Sequence, residues 1–208
     1  MVATVVELSL RLVANMFVIV GVAYLITRTR YLQQVVQHQF TLQNRAVFIL
    51  IFGALAIFAT YAGIPVPGAI ANVRDLGPMI AGLLGGPVIG LGVSLIGGVH
   101  RYFLGGLTGI PCSLATVLAG LFGGLIYLRR EGTFIGVPGA VVFAALMESL
   151  HMGLILLLAE PYADAVAVVK RISVPMVFAN ALGMLIFALV ISHRLTTHEE
   201  VRLREVAN

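Results

Sequence analysis

The sequence predicts an all-α integral membrane protein, a bundle of five spanning helices plus one glycine-rich re-entrant hairpin. First, 60% of the 208 residues are hydrophobic, only 11% are charged and the mean hydropathy is +1.04, whereas soluble domains average about 25% charged residues. Second, several apolar segments reach the roughly 20 residues that cross a bilayer. Third, the long apolar stretch 76–99 carries Gly85, Gly86 and Pro87 at its middle. The length suits one compact bundle rather than two domains.

Five of the apolar segments are predicted to cross the membrane completely. The first does not resemble a cleaved signal peptide, because Glu7 and Arg11 interrupt its apolar run and no basic region precedes it. One segment, 112–128, is shorter than the others but still long enough to be a candidate span. The segments are approximately 4–27, 45–64, 134–159 and 172–193, with 112–128 as the shorter one.

The stretch 76–99 decides between two topologies. If it crosses, six crossings place both ends in the cytoplasm, with six basic residues on each side. If it dips in and returns, the N-terminus lies outside and the C-terminus inside. Because cytoplasmic loops carry an excess of Lys and Arg, the hairpin is favoured, and six spanning helices remain the alternative. In the hairpin topology the cytoplasmic basic residues would be Arg28, Arg30, Arg45, Arg129, Arg130, Arg194, Arg202 and Arg204. The outer basic residues would be Arg74, Arg101, Lys170 and Arg171.

Glycine is concentrated in the middle of the chain. Fourteen of the 23 glycines fall between Gly77 and Gly124. They include Gly82-x3-Gly86-x3-Gly90 and Gly120-x3-Gly124, a spacing that allows helices to approach closely in lipid. The pattern predicts that this region packs tightly on itself.

The polar run 193–208 has no Pro or Gly and suits a helix that leaves the last span. We therefore divide the chain into a transmembrane domain, residues 1–193, and the start of a cytoplasmic helix, residues 194–208, that leads to an output domain outside this sequence. A short native tail is the alternative.

The motifs of this chain resemble those of the membrane-embedded receptor module of LytS/YehU-type sensors, the 5TMR-LYT domain. They are Ala71-Asn-x-Arg74, Gly82-Leu-x-Gly-Gly-Pro-x-x-Gly-Leu91, His100-Arg-Tyr-x-x-Gly-Gly106, Met147-Glu148 and Pro175-Met-x-x-x-Asn180. In that family the module usually precedes a GAF-like domain and a histidine-kinase core, or sometimes a diguanylate cyclase. The resemblance implies a sensory input module, and a response to pyruvate-like carboxylates through the matching arginines and the cysteine–serine region.

Arg74 and Arg101 are the first candidates for ligand binding. A guanidinium is planar, permanently charged and able to bind a carboxylate through two parallel hydrogen bonds, and charge at membrane depth indicates function. Two of them on one rim would clamp a small carboxylate or dicarboxylate. Alternatively, Arg74 pairs with Asp75 or Glu7, and Arg101 caps carbonyl groups or meets a lipid phosphate.

Four more residues would supply hydrogen bonds to the anion. Cys112 and Ser113 follow Pro111 at the start of a helix, where free N–H groups favour anions; both could instead be small buried residues beside a helix cap. Cys112 is the only cysteine, so it forms no intrachain disulfide. His100 would be a pH-sensitive donor beside Arg101. Asn72 completes the predicted set.

A second group is assigned to signal coupling or structure. Glu148 and His151 lie three residues apart on one helical face and would bond each other or Asn180, because a mid-membrane charge needs a partner. The Glu-x-x-His spacing occurs in di-metal bundles, but those need further carboxylates, so no metal site is predicted. Glu7 and Arg11 are spaced for an i, i+4 ion pair; Glu7 could instead reach Arg74 or Arg101.

Taken together, these patterns predict a sensory input domain of a two-component histidine kinase that binds a small anionic metabolite at its outer face and signals through its last helix. No nucleotide loop, phosphoacceptor histidine or nucleophile–base pair indicates catalysis, and no cofactor is predicted. We expect a multi-pass protein of the bacterial inner membrane with a cytoplasmic C-terminus, in contact with lipid and dimeric like its family's kinases. It would meet a cognate response regulator only through the absent kinase domain, and no nucleic acid. A transporter or substrate-capture subunit, and a module for lipids or cell-wall precursors, remain alternatives.

Overall fold

The computed structural model describes residues 4–29 and 41–207, which form six helices and one small β-hairpin. A predicted basic residue of the cytoplasmic side, Arg30, lies outside the described residues. The elements are α1 (Val5–Thr27), α2 (Leu42–Tyr61), β1 (Ile64–Val66), β2 (Ala69–Ala71), α3 (Leu76–Phe103), α4 (Gly109–Arg129), α5 (Val137–Leu158) and α6 (Tyr162–Ala207).

The predicted fold class is confirmed. All six helices are long and apolar enough to cross a membrane, so by length and composition the six-helix alternative fits. In the bundle, α3 packs mainly on α2 and α4, while α6 packs on α1 and α5. The central helix α3 is the most buried of the six, as expected for a segment surrounded by protein rather than lipid.

Helix α3 is not one straight rod, because its backbone reverses at Gly86. Gly86 has φ 77° and ψ −174°, a left-handed conformation that favours glycine, and Pro87 follows it. An unbroken helix would separate Gly82 from Gly90 by about 12 Å along its axis. Instead, a Cβ atom built on Gly90 would lie 2.9 Å from the Cα atom of Gly82. The segments 76–85 and 87–103 are therefore the two limbs of the glycine-rich hairpin.

Both limbs pack against α4 through backbone rather than side chains. A Cβ on Gly82 would lie 2.7 Å from the backbone nitrogen of Gly124, and one on Gly123 would lie 3.0 Å from the carbonyl oxygen of Met79. A Cβ on Gly120 would overlap the carbonyl of Gly90. We call this contact between α4 and the two limbs the glycine seam. It explains the glycine concentration, because any side chain in the seam would separate the helices.

The hairpin returns the chain to the side from which it entered. A Cβ on Gly97, late in the second limb, would lie 3.8 Å from the Cδ atom of Arg74, which precedes the first limb. Arg101 lies one turn beyond Gly97. The loop before α3 and the end of α3 therefore meet, as the hairpin arrangement predicts for residues 72–75 and 100–101.

The structure corrects two predicted boundaries. The span predicted over 45–64 ends at Tyr61, because Pro65 and the Pro67-Gly68 pair favour an extended chain and a turn, and β1 pairs antiparallel with β2 there. The span predicted over 172–193 is part of a helix that begins at Tyr162 and ends at Ala207. Its first turns carry Asp164, Lys170 and Arg171, which lowered the hydropathy without breaking the helix. The side chains of residues 195–208, including Arg202 and Arg204, lie outside the described residues.

Candidate functional site

Arg74 is completely buried where the loop before α3 meets α4. Its Nε donates to Oγ1 of Thr116 (2.9 Å), Nη1 donates to Oγ1 of Thr60 (3.3 Å) and Nη2 donates to the carbonyl oxygen of Cys112 (3.4 Å). Its Nε also lies 3.6 Å from Oδ1 of Asp75. The guanidinium thus connects α2, α3 and α4, and its charge is balanced by a neighbouring carboxylate, which a buried cation requires.

Asp75 extends this cluster towards α5. Its Oδ1 accepts a hydrogen bond from Oγ1 of Thr116 (2.6 Å), and its Oδ2 lies 3.2 Å from Nδ1 of His151. Nδ1 of His151 also lies 3.6 Å from Oε2 of Glu148, and the other ring nitrogen lies 3.1 Å from Sγ of Cys112. These five side chains are almost fully buried. We call Arg74, Asp75, Cys112, Thr116, Glu148 and His151 the charged cluster.

Arg101 lies beside the first turn of α4 and is only 2% exposed. Its Nη1 donates to the carbonyl oxygen of Gly105 (2.7 Å), and its Nη2 donates to Oγ1 of Thr108 (3.0 Å). Among the described residues no carboxylate lies within ion-pair distance of Arg101, and its Nε has no hydrogen-bond partner. Arg74 therefore contacts the first two turns of α4, and Arg101 contacts the residues just before that helix. Of the two arginines, Arg74 alone has an acidic partner among the described residues.

The polar atoms of three other predicted ligand residues contact groups of the protein itself. Oγ of Ser113 donates to the carbonyl oxygen of Gly109 (2.8 Å), one turn earlier in α4. Nδ2 of Asn72 donates to the carbonyl oxygen of Ile70, and its Oδ1 accepts from the backbone N–H of Arg74. His100 does not join the charged cluster; its Nε2 lies 3.3 Å from the hydroxyl of Tyr61. Asn72 thus bonds to the backbone of Arg74, and its contact with a ligand stays a prediction.

The structure shows the contacts of the residues that we assigned to signal coupling or structure. Glu148 and His151 do approach each other, but Asn180 lies elsewhere in the bundle and donates to the carbonyl oxygen of Met176 in its own helix. Glu7 pairs with Arg11 at 2.7 Å on an exposed face of α1, so the alternative in which Glu7 reaches Arg74 or Arg101 is wrong.

Substituting Arg11 by Ala is expected to change the free energy of unfolding by less than about 0.5 kcal/mol, because exposed i, i+4 ion pairs contribute little. The side chains of Arg11 and Glu7 are 61% and 47% exposed. The check is the melting temperature of the purified variant in detergent. A loss as large as that of a buried arginine would mean that Arg11 makes contacts beyond Glu7.

Sequence reasoning missed Thr60 and Thr116 and treated Asp75 only as a partner of Arg74. One signal was present: Thr108, Cys112 and Thr116 are spaced four residues apart, which places them on one face of α4. A polar stripe on an otherwise apolar helix indicates the face that meets charged groups inside the bundle. The contact of Asp75 with His151 has no such signal, since 76 residues of sequence separate them.

A helical bundle with a re-entrant hairpin and a buried charged cluster beside it defines a membrane protein with a polar site inside its transmembrane domain. The chain belongs to the family described as 5TMR of 5TMR-LYT, whose profile matches residues 29–194. The resemblance drawn from the motifs is thereby confirmed. No solved structure matches the chain.

Curated relatives carry names of sensor proteins. The chain is 37% identical over 188 residues to the sensor histidine kinase BtsS of Escherichia coli K12, covering 87% of this chain and 33% of the relative. It is 32% identical over 218 residues to the sensor protein LytS of Bacillus subtilis 168, covering 96% of this chain and 37% of the relative. It is also 36% identical over 135 residues to the sensor histidine kinase YpdA of E. coli K12, covering 62% and 23%. The chain therefore spans about a third of the length of the first two relatives.

Proposed function

We propose that residues 1–193 form the sensory input domain of a sensor histidine kinase and bind a small, pyruvate-like carboxylate near the outer face of the membrane. Membership of the 5TMR-LYT family and the names of BtsS and LytS support the sensory role. Residues 194–208 are the start of the cytoplasmic signalling helix. The continuation of α6 to Ala207 without a break supports this division.

The observation that carries the carboxylate proposal is the charge on Arg101. A cation removed from water is costly unless an anion lies beside it. Within the described residues Arg101 donates to a carbonyl and a hydroxyl group, and no carboxylate lies within ion-pair distance of it. Arg74, by contrast, has Asp75. A ligand carboxylate would provide the missing partner through a charge-assisted hydrogen bond. Arg101 is then the main contact of the ligand, and Arg74 is the electrostatic support behind it.

The neighbours of Arg101 support a small ligand. Its guanidinium lies along the first turn of α4, where Cys112 and Ser113 are also located and are buried. Buried neighbours of this kind favour a small acid over a bulky cell-wall precursor. The identity to BtsS and LytS extends across this region of the chain.

Signalling follows if the ligand binds one conformation more tightly than another. The charged cluster joins the hairpin and α4 to α5, and α5 packs along α6. A change at Arg101 would thus reach α6 through α4 and α5. A homodimer in the bacterial inner membrane, with the C-terminus in the cytoplasm, completes the proposal, and a response regulator would act only on the kinase portion of the parent protein.

Thermal stability of the purified chain, measured against a panel of small carboxylates, tests the ligand. At a hundred times its dissociation constant, a ligand stabilises the folded state by about 2.7 kcal/mol. Pyruvate and related monocarboxylates are expected to raise the melting temperature, whereas the neutral amide of pyruvate is expected to have no effect. Arg101→Gln is expected to abolish the shift.

Arg129→Gln is the matched control, because Arg129 is an exposed arginine at the opposite end of α4. It should keep the shift. A cooperative melt that no acid displaces would contradict the carboxylate proposal and favour the module for lipids or cell-wall precursors. Accumulation of the acid inside sealed vesicles that contain the chain would instead favour a transporter.

A further inference from the structure

The side of the charged cluster that faces α5 contains a set of potential metal ligands. Nδ1 of His151, Oδ2 of Asp75 and a carboxylate oxygen of Glu148 all lie within 4.8 Å of one another, and all three residues are buried. Glu148 and His151 are three residues apart on α5, so their side chains leave the same helical face. Asp75 approaches that face from the start of α3.

Hydrogen bonding leaves this side of the cluster incomplete. Neither oxygen of Glu148 has a hydrogen-bond partner among the described residues, and the same is true of Nδ1 of His151. The 3.2 Å contact between Nδ1 and Asp75 lacks hydrogen-bond geometry. A single proton on Nδ1 serves one carboxylate at most. A buried carboxylate without donors is unfavourable, and a cation shared by all three groups would remove that cost.

We propose that Asp75, Glu148 and His151 bind a divalent transition-metal ion. Nitrogen and oxygen ligands lie about 2.0–2.2 Å from such an ion. At the angles of tetrahedral or octahedral coordination, two ligands of one ion are then about 3.0–3.5 Å apart. The separation of 3.2 Å from Nδ1 to Oδ2 of Asp75 lies within this range, and the separation of 3.6 Å from Nδ1 to Oε2 of Glu148 is slightly above it. An ion between the three groups would draw the Glu148 carboxylate closer to His151.

Neighbouring groups orient the ligands in the manner of known metal sites. Thr116 donates to Oδ1 of Asp75, and Arg74 contacts the same oxygen, which leaves Oδ2 for the ion. The Nε2 atom of His151 lies 3.1 Å from the sulfur of Cys112. A metal-bound histidine ordinarily donates its second N–H to a carboxylate, a carbonyl or water, which fixes the ring orientation. In this cluster the sulfur of Cys112, a weaker acceptor, takes that place. The carboxylate of Glu148 offsets one charge of the ion, and Asp75 is shared between the ion and Arg74.

The donor set favours zinc or manganese over magnesium or calcium. Imidazole binds zinc and other transition metals, whereas magnesium and calcium prefer oxygen ligands alone. Three protein ligands leave at least one coordination position open. The metal site does not depend on the sensory role proposed above, since it rests only on the geometry of the cluster.

Metal content of the purified chain tests the proposal. After incubation with Zn²⁺ and gel filtration, the wild-type chain is expected to retain about one zinc per molecule, and His151→Gln and Glu148→Gln are expected to retain less than about a tenth of that. Glu160→Gln is the matched control, because Glu160 is an exposed carboxylate just after α5, and it should retain the metal. Thr116→Val should weaken binding by about 10- to 100-fold, the usual effect of losing an orienting partner.

Two further measurements keep the result interpretable. Cys112→Ser is expected to retain zinc; loss of zinc in this variant, with retention in Glu148→Gln, would place the ion on the other side of His151 and overturn the proposal. Co²⁺ added to the wild-type chain should give visible absorption bands that are absent in His151→Gln. A folded wild-type chain, verified by circular dichroism, that retains no zinc and gives no cobalt bands would refute the site even if the variants fail to fold.

Discussion

Arg74→Met is expected to destabilise the chain by about 3–5 kcal/mol, because removing one member of a buried ion pair leaves the other charge without compensation. Arg74 has no exposed surface, and its guanidinium bonds to Thr60, Thr116 and the carbonyl of Cys112. Methionine fills much of the volume but provides none of these donors. The measurement is the melting temperature of the purified variant, together with its yield from membranes.

A double-mutant cycle separates charge from packing. Asp75→Asn removes the uncompensated carboxylate, so Arg74→Met with Asp75→Asn should lose less stability than the sum of the two single changes. Arg129→Met controls for the loss of an exposed arginine and should be near neutral. A loss for Arg74→Met no larger than that of Arg129→Met would mean that the charged cluster contributes little to the fold.

Gly120→Ala is expected to produce the second large effect, because the glycine seam has no room for a methyl group. A Cβ on Gly120 would overlap both the carbonyl of Gly90 and the hydroxyl of Ser94. A side chain can relieve an overlap by changing its rotamer, but a backbone carbonyl cannot. The helix α4 must therefore move away from the hairpin. Overpacking of this kind costs about 1–3 kcal/mol, and more where backbone is in the way. Thermal unfolding in detergent measures the loss.

Gly153→Ala is the control for the same substitution in another helix. Gly153 is exposed on α5, and no atom lies within 4 Å of the added Cβ. Alanine has a higher helix propensity than glycine, so this variant should be as stable as wild type or more so. Combining Gly120→Ala with Ser94→Ala relieves one of the two overlaps but not the carbonyl of Gly90, so the double variant should stay destabilised. Equal stability of Gly120→Ala and Gly153→Ala would contradict the seam.

The sequence allowed the membrane class and the hairpin to be predicted because both depend on local composition. An apolar segment of spanning length is recognisable without knowledge of its neighbours. In the same way, Gly86-Pro87 interrupts the helix of its own segment whatever that segment packs against. The small β-hairpin was not predicted, because its strands are only three residues long and the predicted span 45–64 included the first residue of β1. The start of α6 was missed because charges in its first turns lowered the hydropathy of a helix that tertiary packing maintains.

The candidate site was predicted less completely, because its geometry depends on contacts between distant segments. The sequence indicated Arg74, Arg101 and Cys112 as residues on one rim, and the structure places them along the first turns of α4. It did not indicate that His151 would lie between Cys112 and Asp75. Predicting this contact requires knowing the position of Asp75 along α5, and that position depends on how the hairpin packs in the bundle.

The length of α6 has a mechanical consequence. Its 46 residues correspond to about 69 Å, more than twice the hydrocarbon thickness of a bilayer. Pro175 lies inside it and removes a backbone hydrogen bond, which makes that point the natural pivot. The arm before Pro175 is about 20 Å long and the arm after it about 48 Å. If the two arms turned together as a rigid body about Pro175, a sideways displacement of 1 Å at Tyr162 would become roughly 2.5 Å at Ala207.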